Sequence, residues 1–131
     1  MTTAVGKFEI KDWKEMPYQE FGDGCKLTRA SVTQTFRGDI EGDGSVEWLM
    51  YYRSDGTAEI VGLQRFVGTL GGRQGSFVLE TRGRFDGVEA KGSWFVIDGS
   101  GTDQLKGVRG QGTFVAPHGP TAQITLEYHF E

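Results

Sequence analysis

The sequence predicts an all-β protein, a closed eight-stranded antiparallel meander barrel, on three observations. The 131 residues divide into eight extended runs joined by short turn-forming segments. No segment sustains the three-and-four-residue apolar spacing of an amphipathic helix. Glycine numbers 21, more than twice its usual share of roughly 7%, and many glycines fall inside the runs, where a strongly coiled strand bends or lets another backbone approach. An open sheet of eight strands would leave two long bare edges, and closure into a barrel removes both.

The runs follow in order. VGKFEIKDW (5–13) opens the chain. The stretch KDWKEMPYQEFGDG after it reads as a short turn interrupted by Pro17, because proline lacks the amide hydrogen and clashes in a helix. CKLTRASVTQTFRGDIEG (25–42) and SVEWLMYYR (45–53) come next, then TAEIVGLQRFVGTL (57–70) after the turn SDG. GSFVLETRGRF (75–85) follows GGRQ, and VEAKGSWFVI (88–97) follows an Asp-Gly pair. QLKGVRGQGTFVA (104–116) and TAQITLEYHFE (121–131) complete the set, separated by PHGP. Asp-Gly and Gly-Gly between alternating residues are hairpin signals, and short loops make successive strands antiparallel neighbours. All three prolines, Pro17, Pro117 and Pro120, fall outside the expected strand interiors.

Composition bounds the rest. The length suits one domain, residues 1–131, long enough to bury a core without staples. A net charge of −4 with scattered basic residues disfavours nucleic acid and anionic membrane as partners. One cysteine excludes an intrachain disulfide. The N-terminus shows no basic-then-apolar leader pattern and no run has the length of a membrane helix, so the expected location is cytoplasmic.

The stretch GSGTDQLKGVRGQG (99–112) looks at first like a phosphate loop. A dinucleotide site needs G-x-G-x-x-G at the start of a helix, yet Gln104 stands where the third glycine belongs and glycines recur in the following run. No G-K-[ST] occurs either. A tight turn followed by a bent strand is the expectation. The same stretch resembles the G-x-G-T-x-x-L/F signature of the allene oxide cyclase and dirigent barrels. The whole chain is closer to a bacterial family of uncharacterised domains sharing that barrel. The matching pieces are GKFEI.DW (6–13), FRGDIEGDGSVEWLMYY (36–52), DGTAEIVGLQRFVGTLGGRQGSFVLE (55–80) and GSGTDQLKGVRGQG (99–112). The resemblance implies an eight-stranded barrel with an axial cavity, often assembled into oligomers, and no activity; none of the plant cyclases' catalytic groups maps onto this chain.

Other motifs are weaker. DIEGDG (39–44) opens like a calcium loop, but Met50 stands where the bidentate acid is needed, so it reads as a solvated hairpin turn. His118, His129 and Cys25 give no metal-ligand spacing, and no metal or cofactor is expected. Cys25 reads as a half-buried strand cysteine. Glu47 and Glu80 lie within apolar runs. Facing water they are ordinary; lining a cavity, they would be pushed towards neutral pKa and become proton donors or acceptors. Gln64 interrupts IVGLQRFVG as a candidate lining group. Trp48, Tyr51, Trp94, Phe95 and Tyr128 could wall a site for a flat apolar ligand, or pack a core or a subunit interface. In VEWLMYYR and GSWFVI both faces are apolar, so which face lines the lumen stays open, and a homo-oligomer, dimer or trimer, is expected to cover the outer one. Three functions fit. The first is a module binding a small apolar or aromatic metabolite, the second a cofactor-free cyclase or isomerase acting on an unsaturated small molecule, and the third a structural or assembly protein.

Overall fold

The computed structural model describes residues 1–117 and 119–131. Eight strands run in chain order: β1 (Thr2–Gly22), β2 (Cys25–Gly38), β3 (Ile40–Tyr52), β4 (Ala58–Leu70), β5 (Arg73–Phe85), β6 (Ala90–Val96), β7 (Val108–Ala116) and β8 (Thr121–Phe130). Each pairs antiparallel with the next, and β1 pairs antiparallel with β8, which closes the barrel as the sequence predicts. A 3-10 turn at Asp103–Leu105 is the only helix among the described residues.

The turns explain themselves. Asp23 and Gly24 have φ of 54° and 82°, and Gly71 and Gly72 have 57° and 82°. Positive φ at both central residues is what a two-residue hairpin needs to match the strands' twist.

Two expectations are corrected. Pro17 lies inside β1, not in a turn, because β1 runs on to Gly22. Only Thr2–Glu9 of β1 pair with β8; from Lys11 onward the strand pairs with β2 alone. That half of β1 is a sheet edge, and there a proline costs no ladder bond on the open side. The segment DIEGDG is not a hairpin turn either. The chain reverses at Gly38–Asp39, and Ile40–Gly44 are already strand, paired with Phe66–Leu70. Gly42 (φ 150°) meets Gly68 there, and a β-carbon at either would strike backbone of the other strand.

Strand parity sorts the side chains. In β3, Val46, Trp48 and Met50 face in, while Glu47, Leu49 and Tyr51 face out. The middle of the lumen is filled by aromatic rings: Phe36 lies 5.4 Å from Phe66 and 6.1 Å from Trp94, and Phe66 lies 5.1 Å from Phe77. Trp94 fits because Gly112 opposite it has no side chain, and its indole N–H donates to the Thr125 carbonyl at 2.9 Å.

The glycine-rich stretch closes one end of this core. The Ser100 hydroxyl accepts from the Val78 amide, and the Thr102 amide and hydroxyl engage Ser76 of β5. This anchoring folds Leu105 back over Gly75, where it is fully buried. The stretch is a turn and plug, its polar groups engaged by β5, and β7 resumes at Val108.

Candidate functional site

The other end of the barrel is splayed. β1 runs on past its pairing with β8, so from Asp12 onward its outer edge has no strand beside it and faces the β5–β6 and β7–β8 turns across a gap. Between them opens a cavity of about 270 Å³. Phe8, Ile10 and Trp13 of β1 form one side, Trp48 and Ile60 the back, and Phe85, Val88 and Phe114 the other side. Ala90 and Ala116, paired across β6 and β7, leave the room. No described lining residue carries a charge. Trp13 crosses the opening to lie 5.5 Å from Trp48.

Trp13 is held from behind. Its indole N–H donates to one oxygen of the Glu15 carboxylate at 3.1 Å. The other oxygen accepts from the Tyr52 hydroxyl at 2.6 Å and the Thr28 hydroxyl at 2.7 Å. Burial pushes the Tyr52 phenol well above its ordinary value, and the neighbouring Glu15 carboxylate adds to the shift by favouring the protonated phenol. A bulge between Ile10 and Asp12 turns Trp13 and Glu15 to the inner side, opposite Val32 and Ala30.

The residues singled out from sequence separate. Trp48 lines the cavity. Gln64 faces in and is buried, with its amide N–H donating to the Gln34 side-chain carbonyl. Trp94 is in the packed aromatic core. Tyr128 is buried at the plugged end, its ring 6.0 Å from Phe130 and its hydroxyl against Gly71. Tyr51 points out, beside Phe21 and Arg53. Phe95 also faces outward.

Both acids are outside the barrel. Glu47 accepts from the Ser31 hydroxyl and the Arg29 guanidinium, each at 2.8 Å, and these bonds hold its carboxyl below the usual range. Glu80 stands on the outer face opposite Leu63 and Phe95. The lumen therefore holds neither carboxylate, and the pKa elevation that burial would cause does not arise at Glu47. Cys25 is half-buried at the start of β2, and His118 lies outside the described residues. Among the described residues no three His, Cys, Asp or Glu side chains gather as metal ligands, and no helix is long and apolar enough to cross a membrane.

Sequence reasoning did not single out Phe8, Ile10, Trp13, Ile60, Phe85, Val88 or Phe114 as site residues. The usable signal was the tryptophan in KDW, an apolar side chain amid charges on a segment with no apolar alternation.

With this geometry in hand, the relatives can be placed. A family model described as a protein of unknown function, DUF3224, matches residues 4–128. The chain belongs to the DUF3224 family. A crystal structure of a DUF3224 protein of unknown function from Shewanella oneidensis MR-1, at 1.84 Å resolution, is similar to it. The two share 31% identity over 100% of this chain and 98% of that one, with a TM-score of 0.79. A search of curated proteins gives no match. The DUF3224 assignment agrees with the expectation of an uncharacterised family built on this barrel.

Proposed function

We propose that this DUF3224 barrel is a binding module that takes a small, neutral, apolar or aromatic molecule into its splayed mouth. The observation that carries the reading is the cavity wall: aromatic and aliphatic on every side, with no charged group among its described residues. Its volume exceeds the ~150 Å³ that accommodates benzene and lies just under the roughly 300 Å³ at which pockets for drug-sized ligands begin. A molecule of one to three rings is the matching size. The resemblance to allene oxide cyclase and dirigent barrels, which suggests an axial cavity, points the same way. The cyclase or isomerase reading is less supported, because the candidate carboxylates Glu47 and Glu80 face solvent.

Titration with the neutral fluorophore N-phenyl-1-naphthylamine tests this. Saturable binding is expected, with quenching of tryptophan emission from Trp13 and Trp48. Ala116→Trp, which fills the cavity from β7, should remove the binding while leaving the far-ultraviolet spectrum unchanged. No saturable binding by the native chain, or equal binding by the filled variant, would overturn the proposal.

A further inference from the structure

The outer wall of the barrel is uneven. Across β7 and β8 it is mostly polar, built of Gln111, Thr113, Gln123, Thr125 and Glu127, with Val115 a lone large apolar side chain near one end. Across β3 and β4 it is not. Leu49, Val61 and Leu63 stand together there, 45%, 44% and 56% exposed. They form the floor of a shallow depression of about 590 Å³ rimmed by Arg29, Glu47, Glu80 and Arg82. A solvated sheet face is ordinarily polar, and a contiguous apolar floor within a charged rim is the anatomy of a protein interface.

The register of the strands fixes how the rim is arranged. One row across the sheet reads Arg29, Leu49, Val61, Arg82, and the next reads Ser31, Glu47, Leu63, Glu80. The face therefore carries two positive charges in one row and two negative charges in its neighbour, and is its own electrostatic complement. We propose that it pairs with the same face of a second copy of this chain to form a two-fold dimer.

The charges also select the axis. In a face-to-face dimer the two-fold lies in the interface plane. An axis along the strands would set Arg29 of one copy against Arg82 of the other, like on like, and would leave Glu47 against Leu63 and Glu80 against Ser31. An axis across the strands, between the two rows, sets Arg82 against Glu80 twice and Val61 against Leu63 twice. The second arrangement covers Val61 and Leu63 and pairs Arg82 with Glu80, while Glu47, set against Leu49, keeps Arg29 of its own copy as partner; this gives register as well as attraction. It also accounts for the apolar outer positions of β3, which the barrel core leaves without partners.

The test is sedimentation velocity across a concentration series. The native chain should be a dimer. Leu63→Arg, at an exposed position, should be monomeric with unchanged thermal unfolding and unchanged N-phenyl-1-naphthylamine binding, since the cavity lies on the other side of the sheet. Arg82→Glu should raise the dimer dissociation constant at least about tenfold, and the exchange Arg82→Glu with Glu80→Arg should restore it. A native monomer at every concentration, an assembly that survives Leu63→Arg, or an exchange that fails to restore association would overturn the proposal.

Discussion

The two ends of this barrel are built from the same kinds of residue and differ in outcome. At the plugged end, Phe36, Phe66, Phe77 and Trp94 pack ring against ring under Leu105, each essentially without exposure. At the splayed end, Phe8, Trp13, Trp48, Phe85 and Phe114 surround a space. The cause is the unequal length of the strands. Where all eight are present, opposed walls are close enough for side chains to interdigitate and fill the lumen. Where β1 outruns β8, its free edge has nothing beside it but the β5–β6 and β7–β8 turns. An apolar cavity here follows from missing backbone, not from small side chains alone.

The contrast between the ends can be broken or sharpened by substitution. The largest effect is expected from Phe66→Ala, which empties fully buried volume at the plugged end and should cost about 3–5 kcal/mol in urea unfolding. Val88→Ala at the mouth, 66% exposed, should stay within about 0.5 kcal/mol. Equal losses would erase the distinction between packed and open ends. Next come Gly101→Val and Gly110→Val, each expected to cost at least about 1 kcal/mol. A β-carbon at Gly101 meets the Leu105 carbonyl that shapes the plug, and one at Gly110 meets β8 backbone.

The tryptophans give a finer comparison. Trp94 donates to Thr125, whereas the buried indole N–H of Trp48 has no partner among the described residues. Trp94→Phe should therefore lose about 1–3 kcal/mol from the hydrogen bond and the space left behind. Trp48→Phe loses no hydrogen bond and should cost under about 1 kcal/mol.

The smallest effect concerns Tyr52. Its phenol titrates above the ordinary value of 10 in the folded chain. The native state thus holds a proton that the unfolded state releases, and the associated stability is full below pH 10 and lost as pH rises through the raised native value. Glu15→Gln removes the carboxylate's share, so ultraviolet titration of the phenol should move downward, and the alkaline loss of stability should soften. An unchanged titration would mean that burial alone sets the shift.

Much of the barrel was legible in the chain. Asp-Gly at 55–56 and 86–87 and Gly-Gly at 71–72 mark real reversals, and the β4 and β8 runs match the observed strands to within a residue or so. The failures have physical reasons. Pro17 hid the second half of β1, because a proline argues against a strand unless the strand is an edge, and edges are decided by partners distant in sequence. DIEGDG looked like a turn because glycine and aspartate serve both for turns and for close strand crossings, as at Gly42 and Gly68. The inner face of β3 was ambiguous because Leu49 and Tyr51 are apolar on the outside too. The cavity was least legible, since its wall joins residues as far apart as Phe8 and Phe114 and its emptiness depends on where strands end.

The seam between β1 and β8 has a consequence for how the molecule comes into being. Thr2–Glu9 find their second neighbour only in Thr121–Tyr128, the most distant pairing in the chain. As synthesis proceeds, the opening hairpin of β1 and β2 must wait with one margin unsatisfied until the eighth strand emerges. Such late, long-range closure makes folding slow and leaves the waiting margin open to stray partners. The charged residues Lys7 and Glu9, spaced along that margin, are suited to keep it soluble during the delay.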